Sequence, residues 1–166
     1  MARKIKKNIL ITGGNGFLAG RYIDYFVKQN FRVYVSSRTR KKSLYNNQIT
    51  FFNLKKDSYE TIFKKISNID YILHTSGMDQ NQCKKNEKLA FKINVDDTVR
   101  LANLANLYKV KLFIFLSSIH VYSSPLRGEL SENNKVKNIL PYGKLKIRAE
   151  KELKKLSNKE NTKFLI

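Results

Sequence analysis

The sequence predicts an α/β fold in which helices cover both faces of a doubly wound parallel sheet. Short apolar runs of strand length alternate with longer segments whose apolar residues recur at helical spacing, and this alternation is typical of βαβ units. A glycine-rich segment follows the first apolar run directly, where a strand-to-helix turn is expected. The predicted strands cover residues 7–12, 32–37, 49–53, 69–74, 111–117 and 162–166.

The segments between these strands carry helical patterns. The first places Ile23 and Phe26 on one face, as expected of an amphipathic helix. Asp57 or Ser58 can cap the second helix, and Pro141 suits the first turn of the last. The predicted helices cover residues 16–29, about 58–66, 86–108 and 141–157, with a polar loop over residues 123–140.

Length and composition predict an ordinary intracellular domain. A chain of 166 residues is expected to form one domain, and it ends inside the sixth predicted strand, as though truncated there. The single Cys83 cannot form an internal disulfide. No apolar run approaches the roughly 18 residues of a membrane span, and the basic start lacks a signal-peptide core. We therefore predict a cytoplasmic protein without membrane contact, and no metal site.

The formal net charge of +20 raises the question of a nucleic-acid partner. The lysines lie in scattered pairs, such as Lys6-Lys7 and Lys84-Lys85, and no helix gathers them with aromatic residues into one stripe. We interpret the charge as a solvated basic surface and predict no specific nucleic-acid partner. Nonspecific, salt-sensitive binding to polyanions is expected of such a surface.

The glycine-rich segment 12–20 has the features of a pyrophosphate-binding loop. A pyrophosphate needs backbone N–H groups and a helix N-terminus close by, and side chains would block that approach. Ala19 stands where a third glycine is usual, and is still small enough for close packing of helix and strand. A plain tight turn is the alternative, but the flanking strand and helix favour dinucleotide binding. The expected contacts are Gly13, Gly16, Phe17 and Leu18.

The end of the second predicted strand indicates which dinucleotide is bound. NAD-binding proteins usually place an acidic residue there for the ribose 2′-hydroxyl, whereas this chain has Ser37. Arg38, Arg40, Lys41 and Lys42 follow, and an arginine fork matches the geometry of a phosphate. The sequence therefore predicts NADP, with NAD as the alternative if Arg38 belongs only to the general basic surface.

Tyr142 and Lys146 form the predicted catalytic pair. They are four residues apart, so one helix presents both on one face. A free tyrosine titrates near 10, and a nearby ammonium favours its phenolate form. Ser118 follows the fifth predicted strand and supplies a hydroxyl that can hydrogen-bond a substrate oxygen. Because the chain is rich in lysine and tyrosine, the pair could also arise by chance.

These motifs, in this order, resemble those of the extended short-chain dehydrogenase/reductase family, the NAD(P)-dependent epimerases, dehydratases and reductases that include nucleotide-sugar enzymes. The resemblance covers nearly all of residues 5–166 and extends to the pattern Pro-Tyr-Gly-x-x-Lys-x-x-Ala-Glu at residues 141–150. It implies a Rossmann fold with Tyr142 as acid/base, Lys146 on the nicotinamide ribose and Ser118 on the substrate. Family members are much longer, and their second half builds much of the substrate pocket. We expect this chain to be the cofactor half, without the C-terminal substrate part.

The resemblance implies further cofactor contacts. Asn53 and Leu54 match an Asp-Leu pair beside the adenine, where asparagine can still hydrogen-bond the base without a charge. Thr75 and Ser76 belong to a turn, His74-Thr75-Ser76-Gly77, whose backbone lines the cofactor in the family. His74 itself is expected to be a packed structural residue.

The resemblance also shows departures from the family pattern. Asn94 matches a helical Asn-x-x-Gly-Thr motif in which Asp97 replaces the glycine, and Asn94 either stabilises the helix or belongs to the site. Ile119 and His120 stand where 4,6-dehydratases have Asp-Glu, which disfavours that reaction. His120 is either a second acid/base, since histidine titrates in the useful range, or a polar side chain at the pocket rim.

The sequence thus predicts an NAD(P)-dependent epimerase or reductase that transfers a hydride at a carbon of a nucleotide-activated sugar. A steroid, flavonoid or other carbonyl substrate stays open. The alternative is a non-catalytic dinucleotide-binding module or an inactive truncated remnant. Relatives often pair through the helices that correspond to about 86–108 and 141–157, so the resemblance implies a homodimer; the alternative is that the apolar stripe of the first helix belongs to the core.

Overall fold

A computed structural model describes residues 7–39, 47–122, 128–157 and 161–166. Six parallel strands form one sheet in the order β3-β2-β1-β4-β5-β6, which confirms the predicted doubly wound sheet. The order reverses between β1 and β4, the switch point at which such sheets bind ligands. The strands are β1 (Asn8–Thr12), β2 (Arg32–Ser37), β3 (Ile49–Asn53), β4 (Tyr71–His74), β5 (Leu112–Phe115) and β6 (Lys163–Leu165).

Helices cover both faces of the sheet. The helical elements are α1 (Phe17–Lys28), α2 (Tyr59–Lys65), α3 (Gln80–Lys85), α4 (Glu87–Phe91), a π-helical turn (Lys92–Asp96), α5 (Asp97–Leu107), a 3₁₀ turn (Ile119–Val121) and α6 (Pro141–Ser157). Against one face, α2, α5 and α6 pack on a cluster that includes Leu10, Ile72 and Phe113. The opposite face carries α1, packed on a cluster that includes Ile11 and Val35.

The structure differs from the sequence-based expectation at two helices. The helix predicted over residues 86–108 is interrupted by the π turn, which widens one turn of the backbone. The helix α3 was not predicted, because its six residues carry no apolar period. A capping box begins it: Asp79 accepts a hydrogen bond from the Gln82 amide, and the Gln82 side chain accepts one from the Asp79 amide.

Some predicted features fall outside the residues that the structure describes. Arg40, Lys41 and Lys42 are among them, as is part of the predicted polar loop over residues 123–140. Within the described ranges, no helix is long and apolar enough to cross a membrane.

Candidate active site

The glycine-rich turn between β1 and α1 lies in close backbone contact with two neighbouring segments. Gly13 has a φ of +69°, and a Cβ placed on it would lie 2.9 Å from the backbone of Ser76. A Cβ on Gly14 would lie 2.2 Å from the Cγ1 atom of Val35 in β2. A side chain at either position would collide with its neighbours, so glycine lets the turn pack closely against Ser76 and Val35.

The first turn of α1 leaves its amides available. Gly16 caps the helix without a side chain, and the first helical hydrogen bond runs from the Gly20 amide to the Gly16 carbonyl. The amides of Phe17 and Leu18 therefore have no carbonyl within the helix to bond. Their side chains are 73% and 51% exposed and do not cover the helix end. The arrangement fits a pyrophosphate, which needs N–H donors at a helix N-terminus.

A cavity of about 430 Å³ lies at the carboxyl ends of β2, β3 and β4. Arg38, Leu54 and Ser76 are among its lining residues, while Ser37 is buried at the end of β2. The side chain of Asn53 is turned toward its own loop, where its Oδ1 atom accepts a hydrogen bond from the Lys55 amide at 3.0 Å. The structure thus places Arg38 and Leu54, but not Asn53, on the cavity wall.

A buried chain of hydrogen bonds links this edge to the π turn. The Nδ1 atom of His74 lies 2.8 Å from the Thr12 hydroxyl, and the Nε2 atom lies 2.9 Å from the Thr98 hydroxyl. Because the Thr98 hydroxyl donates to the Asn94 carbonyl, it accepts from Nε2–H, and Nδ1 accepts from Thr12. His74 is therefore the neutral Nε2–H tautomer. Burial lowers the pKa of its imidazole to about 3.

The segment after β4 is hydrogen-bonded to the residues at the two ends of this network, Thr12 and Asn94. The Ser76 amide donates to the Thr12 hydroxyl at 3.2 Å, and the Thr75 hydroxyl donates to the Thr12 carbonyl at 2.6 Å. At the other end, the Asn94 side chain accepts from the Met78 amide at 2.6 Å and donates to the Met78 carbonyl at 3.1 Å. Asn94 thus fixes this segment through the Met78 backbone, a contact that differs from the helix-stabilising role and the site role left open by the sequence.

Lys146 is buried at the carboxyl edge of the sheet, beside the segment that follows β5. Its Nζ atom donates to the Leu116 carbonyl at 2.8 Å and lies 4.4 Å from the ring centroid of Phe115 and 6.0 Å from that of Tyr142. Burial lowers the pKa of the Lys146 ammonium to about 8, and the Glu150 carboxylate opposes that shift. The ammonium therefore stays largely charged at neutral pH.

The other predicted catalytic residues surround Lys146. Tyr142 lies one helical turn earlier on α6, and its ring meets that of His120 edge-on at 6.3 Å between centroids. The Ser118 hydroxyl caps the 3₁₀ turn by accepting from the His120 amide at 3.2 Å. Burial raises the pKa of the Tyr142 phenol, and hydrogen bonding to Ser118 opposes that rise. The structure brings Ser118, His120, Tyr142 and Lys146 together.

Asn138, which the sequence analysis did not single out, holds this cluster in place together with Gly143. Asn138 donates from its side chain to the His120 carbonyl and accepts from the Leu140 amide at 2.8 Å. A Cβ on Gly143 would lie 2.6 Å from Asn138 and 2.7 Å from the His120 carbonyl oxygen. Gly143 lets α6 approach the 3₁₀ turn. The sequence shows Gly143 as part of the Pro-Tyr-Gly pattern. It does not show the close contact of α6 with Asn138, because Asn138 lies outside that pattern.

The fold is that of a Rossmann-type nucleotide-binding protein. It has the doubly wound strand order, a glycine turn after β1 and a cavity at the carboxyl edge of the sheet. The sequence pattern of the NAD dependent epimerase/dehydratase family matches residues 9–166. The chain belongs to that family.

Similar proteins agree with the family assignment. The bifunctional UDP-glucose 4-epimerase and UDP-xylose 4-epimerase 3 of Arabidopsis thaliana is 26% identical over 164 residues, which cover 89% of this chain and 46% of that protein. The solved UDP-glucose 4-epimerase of Thermotoga maritima with UDP-glucose has a TM-score of 0.82 at 23% identity, over 95% of this chain and 53% of that one. The UDP-glucuronic acid 4-epimerase of Bacillus cereus with UDP-glucuronic acid and NAD has a TM-score of 0.81 at 18% identity, over 95% and 54%. These structures share the fold, and the chain spans about half the length of the relatives it matches.

Gly143→Ala tests the close approach of α6 to the 3₁₀ turn. We expect the added methyl group to push Asn138 aside and to lower the free energy of unfolding by about 1–3 kcal/mol. Gly20→Ala is the matched control, because a Cβ on Gly20 meets nothing within 4 Å and alanine is the better helix former by about 1 kcal/mol. Urea unfolding of both variants checks the prediction. Equal effects of the two substitutions would contradict it.

The buried His74 predicts a pH-dependent stability. Its pKa is about 3 in the folded chain and about 6.5 in the unfolded one. The unfolded chain therefore takes up the proton first, and stability falls as the pH falls from 6.5 toward 3, by up to about 1.4 kcal/mol per pH unit. His74→Asn should be less stable at pH 7, with a shallower slope between pH 6 and pH 4. Unfolding in urea across that range measures both slopes, and parallel slopes would show that His74 does not titrate as described.

Proposed function

We propose that this chain binds NADP and supplies the acid/base group of an epimerase or reductase that acts on a nucleotide-activated sugar. One observation carries the proposal: the segment after β4 touches both halves of the candidate site. Gly13 packs against Ser76, and a Cβ on Gly77 would lie 4.0 Å from the Lys146 ammonium. A dinucleotide laid along this segment has its pyrophosphate at α1 and its nicotinamide end beside Lys146 and Tyr142.

The cofactor supplies the oxidation chemistry: when bound, its nicotinamide ring takes up a hydride from a sugar carbon and returns it. Tyr142 is placed to move the proton at the oxygen on that carbon. Burial raises the pKa of the Tyr142 phenol, so the phenolate needs a nearby cation, and Lys146 is the ammonium next to it. The Ser118 hydroxyl orients the same oxygen.

His120 is proposed as a second acid/base at the substrate, because its ring borders Tyr142 at the open end of the cluster. Ile119, beside it, is exposed and carries no ionisable group, which supports an epimerase or reductase over a 4,6-dehydratase. A polar residue at the pocket rim is the alternative role of His120. His120→Asn with unchanged turnover would leave only that alternative.

The preference for NADP is supported by the end of β2. Ser37 brings no negative charge, and Arg38 lies on the cavity wall together with Lys55 and Lys56. A phosphate on the adenosine ribose would be attracted there, whereas an acidic residue would repel it. The similar Bacillus cereus structure contains NAD, so NAD is the cofactor to compare.

Calorimetric titration with NADPH and NADH at near-physiological salt tests the cofactor. We expect tighter binding of NADPH, and Arg38→Gln should weaken NADPH binding about tenfold or more while changing NADH binding less than about threefold. Arg32→Gln is the control, because Arg32 is exposed at the opposite end of the same strand. A preference for NADH in the unchanged chain would assign the site to NAD.

Tyr142→Phe tests catalysis separately from binding. We expect conversion between UDP-glucose and UDP-galactose to fall about 100-fold or more, because the proton-transferring oxygen is lost. Cofactor affinity should stay within about threefold. Tyr122→Phe is the matched control, because Tyr122 is a half-buried tyrosine that directly follows the 3₁₀ turn of the site. The assay is run on this chain and on any longer product of the same reading frame.

A non-catalytic dinucleotide-binding module is the second candidate. It is supported by the length comparison, since the chain covers 46% of the Arabidopsis relative. This candidate predicts cofactor binding without turnover of any nucleotide sugar, in the chain and in any longer product. The presence of Ser118, Tyr142 and Lys146 in one cluster favours the enzyme.

We also propose that two copies pair through α4, α5 and α6. Leu89, Phe91 and Leu107 are 40%, 43% and 72% exposed. Phe91 lines one outer cavity with Leu107 and a second with Leu89, and contiguous exposed apolar surface is typical of interaction sites. Sedimentation equilibrium should show a dimer that Leu107→Glu weakens. Ile139→Glu, which alters a 76% exposed residue outside these helices, should leave the dimer intact. A monomer at all protein concentrations would exclude the pairing.

A further inference from the structure

Asp97 is the first residue of α5 and stands where the family pattern has a glycine. Its side chain lines the cavity of about 430 Å³ together with Leu54 and Tyr59. We propose that the Asp97 carboxylate accepts a hydrogen bond from the exocyclic amine of the adenine ring and so selects adenine over bases with a carbonyl at that position. This inference rests on the proposed function.

The position of the cavity indicates which part of the dinucleotide it holds. The pyrophosphate belongs at the N-terminus of α1, and the nicotinamide end lies toward Lys146. The cavity runs along the carboxyl edge of the sheet, from Ser76 and Gly77 after β4 to Arg38 after β2 and Leu54 after β3. In a doubly wound sheet the end of the second strand receives the ribose of the adenosine, so the part of the cavity beside Leu54, beyond Arg38, is the place for the base. Leu54 offers an apolar surface on which the base can lie.

Three other polar side chains near this cavity already accept hydrogen bonds from the protein. Asp57 accepts from the Lys65 ammonium at 2.7 Å, and the Ser58 hydroxyl accepts from the Thr61 amide at 3.2 Å as the cap of α2. Asn53, the residue expected at the adenine, uses its Oδ1 atom within its own loop. Within the described part of the chain, the structure gives the Asp97 carboxylate no hydrogen-bond or ion-pair partner within range.

The surroundings of Asp97 favour a donor from the ligand. Burial raises the pKa of the Asp97 carboxyl, while the charges of Lys92 and Arg100 oppose that rise without pairing with it. Arg100 is occupied by a fork to Glu60, with bonds of 2.5 and 2.8 Å. Burial and, second, the charge of Asp97 raise the pKa of the Tyr59 phenol, and both residues line the cavity. A partly desolvated acceptor of this kind gains from an N–H donor.

The test compares adenine with hypoxanthine in the same dinucleotide. Hypoxanthine carries a carbonyl in place of the exocyclic amine, and a carboxylate would repel it. Titration calorimetry is run with NADPH and with reduced nicotinamide hypoxanthine dinucleotide phosphate, and with the corresponding pair that lacks the ribose phosphate. The unchanged chain should prefer the adenine form about tenfold.

The variant Asp97→Asn should reduce that preference to within about threefold, mainly by improving the affinity for hypoxanthine, because an amide can offer either a donor or an acceptor. Asp96→Asn is the matched control: both residues line a cavity on the outer surface of the helices, but Asp96 is exposed and only Asp97 also lines the cavity of about 430 Å³. It should keep the preference of the unchanged chain. Circular dichroism confirms that both variants are folded.

Three outcomes would overturn the inference. The unchanged chain could bind both base forms equally, or Asp97→Asn could keep the full preference for adenine. Asp97→Asn could also weaken both forms equally, which would assign the carboxylate to the ribose and not to the base. A folded chain that binds none of the four dinucleotides would instead refute the proposed function itself.

Discussion

The candidate site depends on a buried polar connection between the sheet and the helix beside it. His74 accepts from Thr12 on β1 and donates to Thr98 on α5, and Thr98 in turn bonds the Asn94 carbonyl in the π turn. Each group in this hydrogen-bond network keeps its partner only while the other groups keep their positions, and a buried polar group without a partner destabilises the fold. The network thereby fixes the segment after β4, which contacts both halves of the proposed cofactor site.

Close backbone approach is the second constraint, and it acts at both ends of the groove. At one end Gly13 and Gly14 leave no room for a side chain against Ser76 and Val35. At the other end Gly143 lets α6 bring Tyr142 and Lys146 to the 3₁₀ turn that carries Ser118. The hydrogen bonds of His74 fix the segment after β4, in the middle of the candidate site. The glycines determine how closely α1 at one end and α6 at the other approach that segment.

The sequence could predict the features that depend on local pattern. The strands, α1, α6 and the glycine turn follow from apolar periodicity and from residues with restricted roles, such as Pro141 at the start of α6. The π turn was not predictable, because Asn94 bonds the distant Met78 backbone and the extra residue in that turn has no local signal. The role of Asn138 was hidden for the same reason, since its partner is the His120 carbonyl.

The departures from the family pattern are the most specific to this chain. Asn53 and Asp97 differ from the expected acid and glycine, and the structure turns the first inward to its loop and places the second on the cavity wall. We interpret the two as linked: the acceptor beside the base is supplied by α5 in place of the loop after β3.

The central claim is that a dinucleotide lies along the carboxyl edge of the sheet, from Asp97 to Lys146. Amide chemical shifts in nuclear magnetic resonance, recorded as NADPH is added at near-physiological salt, test this claim residue by residue. The account predicts saturable shifts for Gly13, Phe17, Ser76 and Gly77, with smaller shifts at Asp97. Shifts confined to the lysine-rich outer surface, or shifts that disappear as salt is raised, would contradict it and leave only nonspecific polyanion binding.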